Sequence, residues 1–322
     1  MTSQQPRLHL VSPQPKSKST ANEIELTIKE YLLALRQAGR TTGTLQKYAF
    51  RLDRLSSWLA ERDVTQMGDL SKLLLREWGA SLDPDWQPAT MRHAVTIVRG
   101  WLNWCAAENL IEPGLAAALR VPKVKSRVQR TLSDEEVQKL LDACDPATSS
   151  GLRAAAIVSL MVDSGLRASE VCRVKESDLI FDFPLKNKRV NFIPTIGKGG
   201  NEEPVYFGTE TTARLRAWLA ARQAGPGVRT LFVSLGGNTP RQPLTRHGLG
   251  NLLERLVKKA GVPGVSPHSL RRTFAMLLDD SGHSTRQIQA LGRWSDIRMV
   301  ERYTAAMRVG KNYHAPMDSL EK

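Results

Sequence analysis

The segment "RVNFIPTIGKGGNEEPVYFG", residues 189–208, interrupts an otherwise helical pattern and decides the fold class. β-Branched and aromatic residues lie on both sides of its glycine-rich centre, an arrangement typical of a β-hairpin. Lys198 would then lie at the tip of the hairpin. Helical periodicity is found before and after this segment. We therefore predict a mainly α protein with a small β-sheet.

Before this segment, the chain shows helical patterns at residues 24–38, 41–61, 70–81 and 89–108. The second pattern repeats apolar residues at steps of three or four, which is the spacing of one helix face: Leu45, Tyr48, Leu52, Leu55 and Trp58. We predict an all-helical domain at residues 22–112. Residues 1–21 show no such period and are rich in Pro, Ser, Gln and Lys, which predicts a disordered basic arm.

Residues 113–130, "PGLAAALRVPKVKSRVQR", combine helix-breaking Pro and Gly with basic side chains. They predict a linker, either one that wraps a polyanion or an ordinary solvated connection. Ser133 and Glu136 then have the spacing of a capping box, which marks a helix start. The second domain covers residues 131–322, with helical patterns at 133–143, 151–164, 210–222, 246–260, 269–280, 285–291 and 297–306.

The charge balance indicates the class of partner. Lys and Arg number 46 against 32 Asp and Glu, a formal net charge of +14. Such an excess favours a partner with dense negative charge, most often nucleic acid. No apolar run reaches the roughly 18 residues of a membrane-spanning helix, and the polar N-terminus does not resemble a secretion signal. We expect no membrane contact and a cytoplasmic, nucleoid-associated protein.

The cysteines and histidines do not suggest a metal site. The three cysteines are scattered in apolar helical contexts without CxxC spacing, and the six histidines lack spacings such as HExxH. We interpret Cys105, Cys144 and Cys172 as small packing residues. Neither a metal nor a cofactor is expected.

The second domain carries the candidate chemistry on six residues: Arg167, Lys198, His268, Arg271, Trp294 and Tyr303. His268 and Arg271 are three residues apart, so they lie on one face of a helix. Attack on a phosphodiester concentrates negative charge on the non-bridging oxygens. Guanidinium groups match that charge and its geometry while staying protonated. The set therefore suits phosphoryl transfer without a metal.

Four motifs, taken in order, resemble the tyrosine recombinases of the phage integrase family: "SGLRASE", "GKGG", "HSLRRT" and "LGRWSDIRMVERY". The resemblance covers nearly the whole chain and is to two-domain members, either Xer-like or from mobile elements. It implies a SAM-like helical core-binding domain that binds DNA, followed by an α+β catalytic domain.

The resemblance also implies a role for each residue. Arg167 and Arg271 are expected to clamp the scissile phosphate, and Lys198 to protonate the leaving 5′ oxygen. His268 would assist proton transfer. Tyr303 would attack phosphorus and form a 3′-phosphotyrosyl link.

Four further positions bear on this assignment. Glu170 matches the acidic residue that orients the first arginine. The family usually has His nine residues before the tyrosine, and here that residue is Trp294, which can donate through Nε1–H but cannot act as a base. Arg293 is the competing assignment, although the spacing to Tyr303 favours Trp294. Tyr313 is a second nearby phenol without that spacing.

By resemblance, the function is site-specific DNA recombination through a Holliday junction, without metal or ATP. The partners would be double-stranded DNA and other copies of the chain, as a homo-tetramer on two DNA sites. A C-terminal segment, "HAPMDSL", could dock on a neighbouring copy, or could remain unpaired.

Two other functions stay open. A type IB topoisomerase uses similar groups and also makes a 3′-phosphotyrosine, but it relaxes supercoils. A catalytically silent DNA-binding protein would use the same residues only to grip phosphate.

Overall fold

The computed structural model describes residues 22–123, 130–196, 202–237 and 239–311, with only the backbone described for Ile196 and residues 305–311. The predicted arm at residues 1–21, Lys198 and Tyr313 lie outside these residues, as does the proposed docking segment "HAPMDSL". The chain divides between residues 126 and 127 into two compact units. Within the described ranges, no helix is both long enough and apolar enough to cross a bilayer.

Four helices build the first unit: α1 Glu23–Gln37, α2 Thr42–Ala60, α3 Lys72–Ala80 and α4 Pro88–Ala107. The side chains of Asn22, Thr41 and Ser71 each accept a hydrogen bond from a backbone N–H in the first turn of α1, α2 and α3. Proline stands at the first position of α4, where its missing N–H costs nothing. These local signals explain why the predicted and observed bounds agree to within two residues.

The core of the first unit is formed by the apolar faces of these helices. Leu52, Leu55 and Leu59 of α2 are fully buried, as is Trp101 of α4, and burying each such side chain is worth about 1.5–3 kcal/mol. The core continues beyond α4, because the turn Leu115–Ala118 and the adjoining Leu119 pack into it. The helical unit therefore extends into the segment that the sequence suggested as a linker.

The second unit contains the remaining helices: α5 Asp134–Asp142, α6 Ser149–Ser164, α7 Ala168–Val171, α8 Thr209–Ala221, α9 Arg246–Ala260, α10 Pro267–Asp280, α11 Thr285–Gly292 and α12 Ile297–Lys311. The capping box predicted at Ser133 and Glu136 is confirmed, since each side chain accepts from the other's backbone N–H. Helix α6 is central and packs against α8 and α10. All three cysteines of the chain are buried and free, as predicted for packing residues.

A three-stranded antiparallel sheet, in the order β1-β2-β3, interrupts the helices: β1 Ile180–Leu185, β2 Lys188–Ile196 and β3 Glu202–Phe207. The predicted hairpin is confirmed as β2 and β3, with Ile193 opposite Val205 and both buried. Strand β1 was not predicted. It contains Pro184, which a strand tolerates at a sheet edge, and Asp182 at φ +55°.

Candidate active site

A cavity of about 390 Å³ opens in the second unit between α7, the start of α9, α10 and α12. Groups that can bind phosphate or transfer a proton are concentrated in its lining: Arg167, Arg246, His268, Arg271, Trp294 and Tyr303. Five of these six residues were predicted from the sequence. Arg246 was not. Arg246 is the first residue of α9, directly after the N-cap Thr245, and a helix N-terminus is a position that favours bound anions such as phosphate.

Arg271 is the most buried charge of the site, only 2% exposed. Its Nη1 donates to the carbonyl of Gly165, at the end of α6, and its Nη2 donates to the carbonyl of Gly292, at the end of α11. Burial, followed by the nearby positive charge of Arg167, lowers the pKa of Arg271 to about 10. The guanidinium therefore stays charged at neutral pH, and two helix ends fix its orientation.

Gly165 allows this arrangement. It ends α6 at φ +59°, a left-handed conformation that glycine adopts readily, and a β-carbon there would overlap the ring of Phe274. The backbone turns sharply at this point and leads directly into Arg167, the N-cap residue of α7. The end of α6 thus positions both arginines: the Gly165 carbonyl accepts from Arg271, and the turn at Gly165 places Arg167.

Glu170 holds Arg167 in place. Its Oε1 accepts from Nη1 of Arg167 at 2.8 Å, and its Oε2 accepts from the Arg167 backbone N–H at 2.7 Å. Burial by itself would raise the pKa of Glu170, because it disfavours the charged carboxylate. The Arg167 backbone N–H and the Arg293 guanidinium outweigh burial and lower the pKa of this carboxyl. Glu170 is therefore a carboxylate at neutral pH, while the Arg167 side chain remains about half exposed toward the cavity.

The phenol of Tyr303 lies against His268. Its hydroxyl oxygen is 3.5 Å from Nε2 of His268, and the two rings meet edge to face. Burial raises the pKa of Tyr303, although several arginines oppose that shift. Burial and the positive charges of Arg272 and Arg271 lower the pKa of His268. At neutral pH the pair is thus a protonated phenol beside a neutral imidazole, which is the state required for proton transfer from Tyr303 to His268.

The structure distinguishes between Trp294 and Arg293. The Trp294 ring lies in the cavity lining, with the Arg271 guanidinium 4.4 Å from its centroid and the Tyr303 ring 5.8 Å away. Gly292 makes this possible, because a β-carbon on it would overlap the indole. Arg293 points elsewhere and contacts Glu170 and Thr195.

A small apolar cluster, formed by α10, α11 and α12, supports the tyrosine. Phe274 and Ala275 of α10 pack with Ile288 of α11 and Val300 of α12. The Tyr303 side chain belongs to the same cluster and is only 5% exposed. Packing in this cluster therefore fixes the position of the Tyr303 ring, while its hydroxyl reaches the cavity.

The chemistry of this site follows from its charges. Two oriented guanidinium groups and an indole surround a space that suits a phosphodiester, with a phenol and an imidazole beside it. Among the described residues, no three His, Cys, Asp or Glu side chains converge in a way that could hold a metal ion. Lys198, the remaining predicted site residue, lies outside the described residues.

The sequence model of the Phage integrase family matches residues 130–308, which is more than half of the chain. A tyrosine recombinase XerD from Ralstonia nicotianae is 32% identical over 279 residues, which cover 84% of this chain and 86% of the relative.

Solved structures share the fold at lower identity. A lambda integrase (residues 75–356) dimer bound to a COC′ core site superposes with a TM-score of 0.65 at 19% identity, covering 87% of this chain and 94% of that one. A lambda integrase tetramer bound to a Holliday junction gives a TM-score of 0.64 at 20% identity, covering 87% of this chain and 76% of that one. With arginines, histidine and tyrosine gathered in one cavity of that fold, and with a family match over more than half of its length, the chain belongs to the phage integrase family and is a tyrosine recombinase.

Proposed function

We propose that this recombinase cuts and rejoins double-stranded DNA at specific sites, with Tyr303 as its nucleophile. The observation that supports this most directly is the 3.5 Å separation between the Tyr303 hydroxyl and Nε2 of His268. That pair lies in a cavity whose other polar groups include the guanidinium groups of Arg167 and Arg271. A phosphate bound by these two arginines would lie within reach of the phenol.

The first step would be a transesterification. The Tyr303 oxygen attacks phosphorus, its proton passes to Nε2 of His268, and the bond from phosphorus to the 5′ oxygen breaks. That 5′ oxygen would take a proton from Lys198, the role that the family resemblance implies for this residue. The products are a 3′-phosphotyrosyl link and a free 5′-hydroxyl, so one ester bond replaces another and no ATP is consumed.

The remaining groups would stabilise the transition state. Arg167 and Arg271 face the non-bridging oxygens, where negative charge increases during attack. The indole of Trp294 would donate through Nε1–H and would not transfer a proton. Glu170 would keep Arg167 oriented through its two hydrogen bonds.

Strand exchange follows when a 5′-hydroxyl from a second duplex attacks the phosphotyrosyl link. Two such exchanges, one after the other, pass through a Holliday junction. We propose a homo-tetramer on two DNA sites, since the similar lambda integrase has been solved as a tetramer bound to a Holliday junction. The natural setting would be an Xer-like or mobile-element system acting in the cytoplasm, in association with the nucleoid.

A covalent adduct tests this proposal. Purified protein would be mixed, with EDTA present, with nicked duplexes tiled across the DNA that flanks its own gene. The products would be separated on a denaturing gel. We expect a protein–DNA adduct at a 3′ end on particular duplexes, and Tyr303→Phe should bind the same duplexes without forming it. Binding without any adduct from the wild-type protein would instead favour a silent DNA-binding protein.

A second assay separates recombination from topoisomerase activity. Supercoiled plasmid that lacks any duplex selected in the first assay would be incubated with the protein. A recombinase should leave it supercoiled and should exchange strands between two plasmids that carry the selected site. Efficient relaxation of the site-free plasmid would contradict the proposal.

A further inference from the structure

Arg293 has an unusual backbone conformation for its residue type. At the C-cap of α11, its φ is +54° and its ψ is +45°, in the left-handed region. Glycine adopts this conformation readily, whereas a side chain with a β-carbon is strained in it. Non-glycine residues persist in such conformations where the surrounding structure holds them, often at functional sites. The contacts of Arg293 are therefore informative.

The Arg293 side chain makes two polar contacts in a nearly buried position, with only 8% of it exposed. Its Nη2 donates to Oε2 of Glu170 at 3.0 Å, and its Nη1 donates to Oγ1 of Thr195 at 3.2 Å. Burial lowers the pKa of Arg293, and the negative charge of Glu170 opposes that shift. The guanidinium fork thus joins two separate elements, α7 and β2.

Both contacts lead to groups with proposed roles in cleavage. Glu170 uses Oε1 for the Arg167 side chain and Oε2 for both the Arg167 backbone and Arg293. Thr195 is the last residue but one of β2, just before the segment that contains Lys198, and its Oγ1 donates to the carbonyl of Glu203 in β3. Arg293 is therefore linked to Arg167 through one residue and to the base of the hairpin through another.

We propose that Arg293 is a positioning residue for DNA cleavage. It lies behind the cavity and sets the Arg167 guanidinium through Glu170 and the base of the β2–β3 hairpin through Thr195. Its backbone lies between Gly292, whose carbonyl accepts from Arg271, and Trp294, which lines the cavity. This inference rests on the proposed function, because it assumes that Arg167 and the hairpin serve the cleavage step.

The planar guanidinium suits this task better than an ammonium group. Its N–H groups point in fixed, divergent directions, so one side chain can donate to Glu170 and to Thr195 at the same time. A lysine would keep the positive charge but would not hold both partners in one geometry. Small displacements of catalytic groups slow enzymes strongly, because the reacting atoms need close alignment.

The test is Arg293→Gly, which removes the fork and leaves a residue suited to the left-handed backbone. The readouts are DNA affinity and the single-turnover rate of adduct formation, measured at saturating protein on a nicked duplex selected as above. We expect the rate to fall about 10- to 100-fold, with unchanged affinity. Arg293→Lys should give an intermediate rate, and it replaces the glycine variant if that variant does not fold.

A double-mutant cycle tests whether Arg293 acts through Glu170. Glu170→Gln alone should slow the adduct, since it weakens the hold on Arg167. Adding Arg293→Gly to that variant should then slow it much less than it slows the wild type, because coupled residues are not additive. Equal slowing in both backgrounds would overturn the proposed route through Glu170.

Arg241→Gly is the matched control. Arg241 is also an arginine at positive φ, +62°, and its side chain donates to Gln223 on the surface of the same unit. Its variant should form adduct at the wild-type rate. If Arg293→Gly forms adduct at the wild-type rate, the positioning role of Arg293 is overturned, while the proposed function stands. Failure of the wild-type protein to form a Tyr303-dependent adduct would instead overturn the proposed function.

Discussion

The hydroxyl of Tyr303 and Nε2 of His268 lie 3.5 Å apart, although 35 residues separate them in the chain. They are brought together because α10 and α12 pack against each other across a small apolar cluster. The contact connects a phenol whose pKa is raised by burial with an imidazole whose pKa is lowered by burial. At neutral pH the phenol therefore keeps its proton, and the imidazole is neutral and able to accept one.

This pair predicts the pH dependence of cleavage. His268 can accept the phenol proton only while it is neutral, and its pKa lies below the ordinary value of about 6.5. The single-turnover rate of adduct formation should therefore be flat from about pH 7 to 8 and fall only below about 6.5. His268→Gln should lower the plateau by about 10²- to 10⁴-fold and remove the acid limb. An acid limb that persists in the variant would assign it to another group.

Gly292 should not tolerate a side chain. In Gly292→Ala, the new β-carbon would displace the Trp294 indole, and Gly292 also supplies the carbonyl that receives Arg271. We expect a loss of about 1–3 kcal/mol in the free energy of unfolding and slower adduct formation. Gly250→Ala in α9 is the control, since nothing lies within 4 Å of its added β-carbon. It should be stabilising by about 0.5–1 kcal/mol. Equal stabilities of the two variants in urea titrations would contradict this packing.

Trp294 should contribute by packing as well as by its N–H. Trp294→Ala removes a buried indole that contacts Arg271, Phe274 and Tyr303, and should cost about 3–5 kcal/mol of unfolding free energy. Trp294→Phe keeps a ring over Arg271 but has no N–H donor. It should be much more stable than the alanine variant while still forming adduct more slowly than wild type. A phenylalanine variant with the wild-type rate would remove the proposed donor role.

The end of the first unit is testable at Leu119. It is 2% exposed and packs in the helical core beyond the end predicted from the sequence. Leu119→Ala in the full chain should destabilise the first unit by about 2–5 kcal/mol, as measured by hydrogen exchange of α3 and α4 amides. Leu110→Ala is the matched control, because Leu110 is 38% exposed. Similar exchange rates in both variants would show that Leu119 does not belong to that core.

The bounds of most helices and the order of the motifs could be predicted because the signals are local, whereas α12 ends at Lys311, five residues beyond its predicted end. A capping box at Ser133, a three- or four-residue apolar period and a glycine at residue 165 each involve neighbours in the chain. Strand β1 escaped prediction because its stability depends on pairing with β2, which compensates for Pro184 at the sheet edge. Residues 115–119 escaped because their burial depends on α3 and α4.

The sequence by itself determined a mainly α protein with a small sheet, the family, and the residues that could bind phosphate. Tertiary structure alone decided which of those residues share one cavity. Arg271 is held by Gly165, 106 residues away, and by Gly292, and no local period encodes either contact. It also decided the separate places of two adjacent residues, Trp294 in the cavity and Arg293 behind it. The physical reason is that burial and hydrogen bonding over long sequence separations, rather than local preference, set the direction of each side chain.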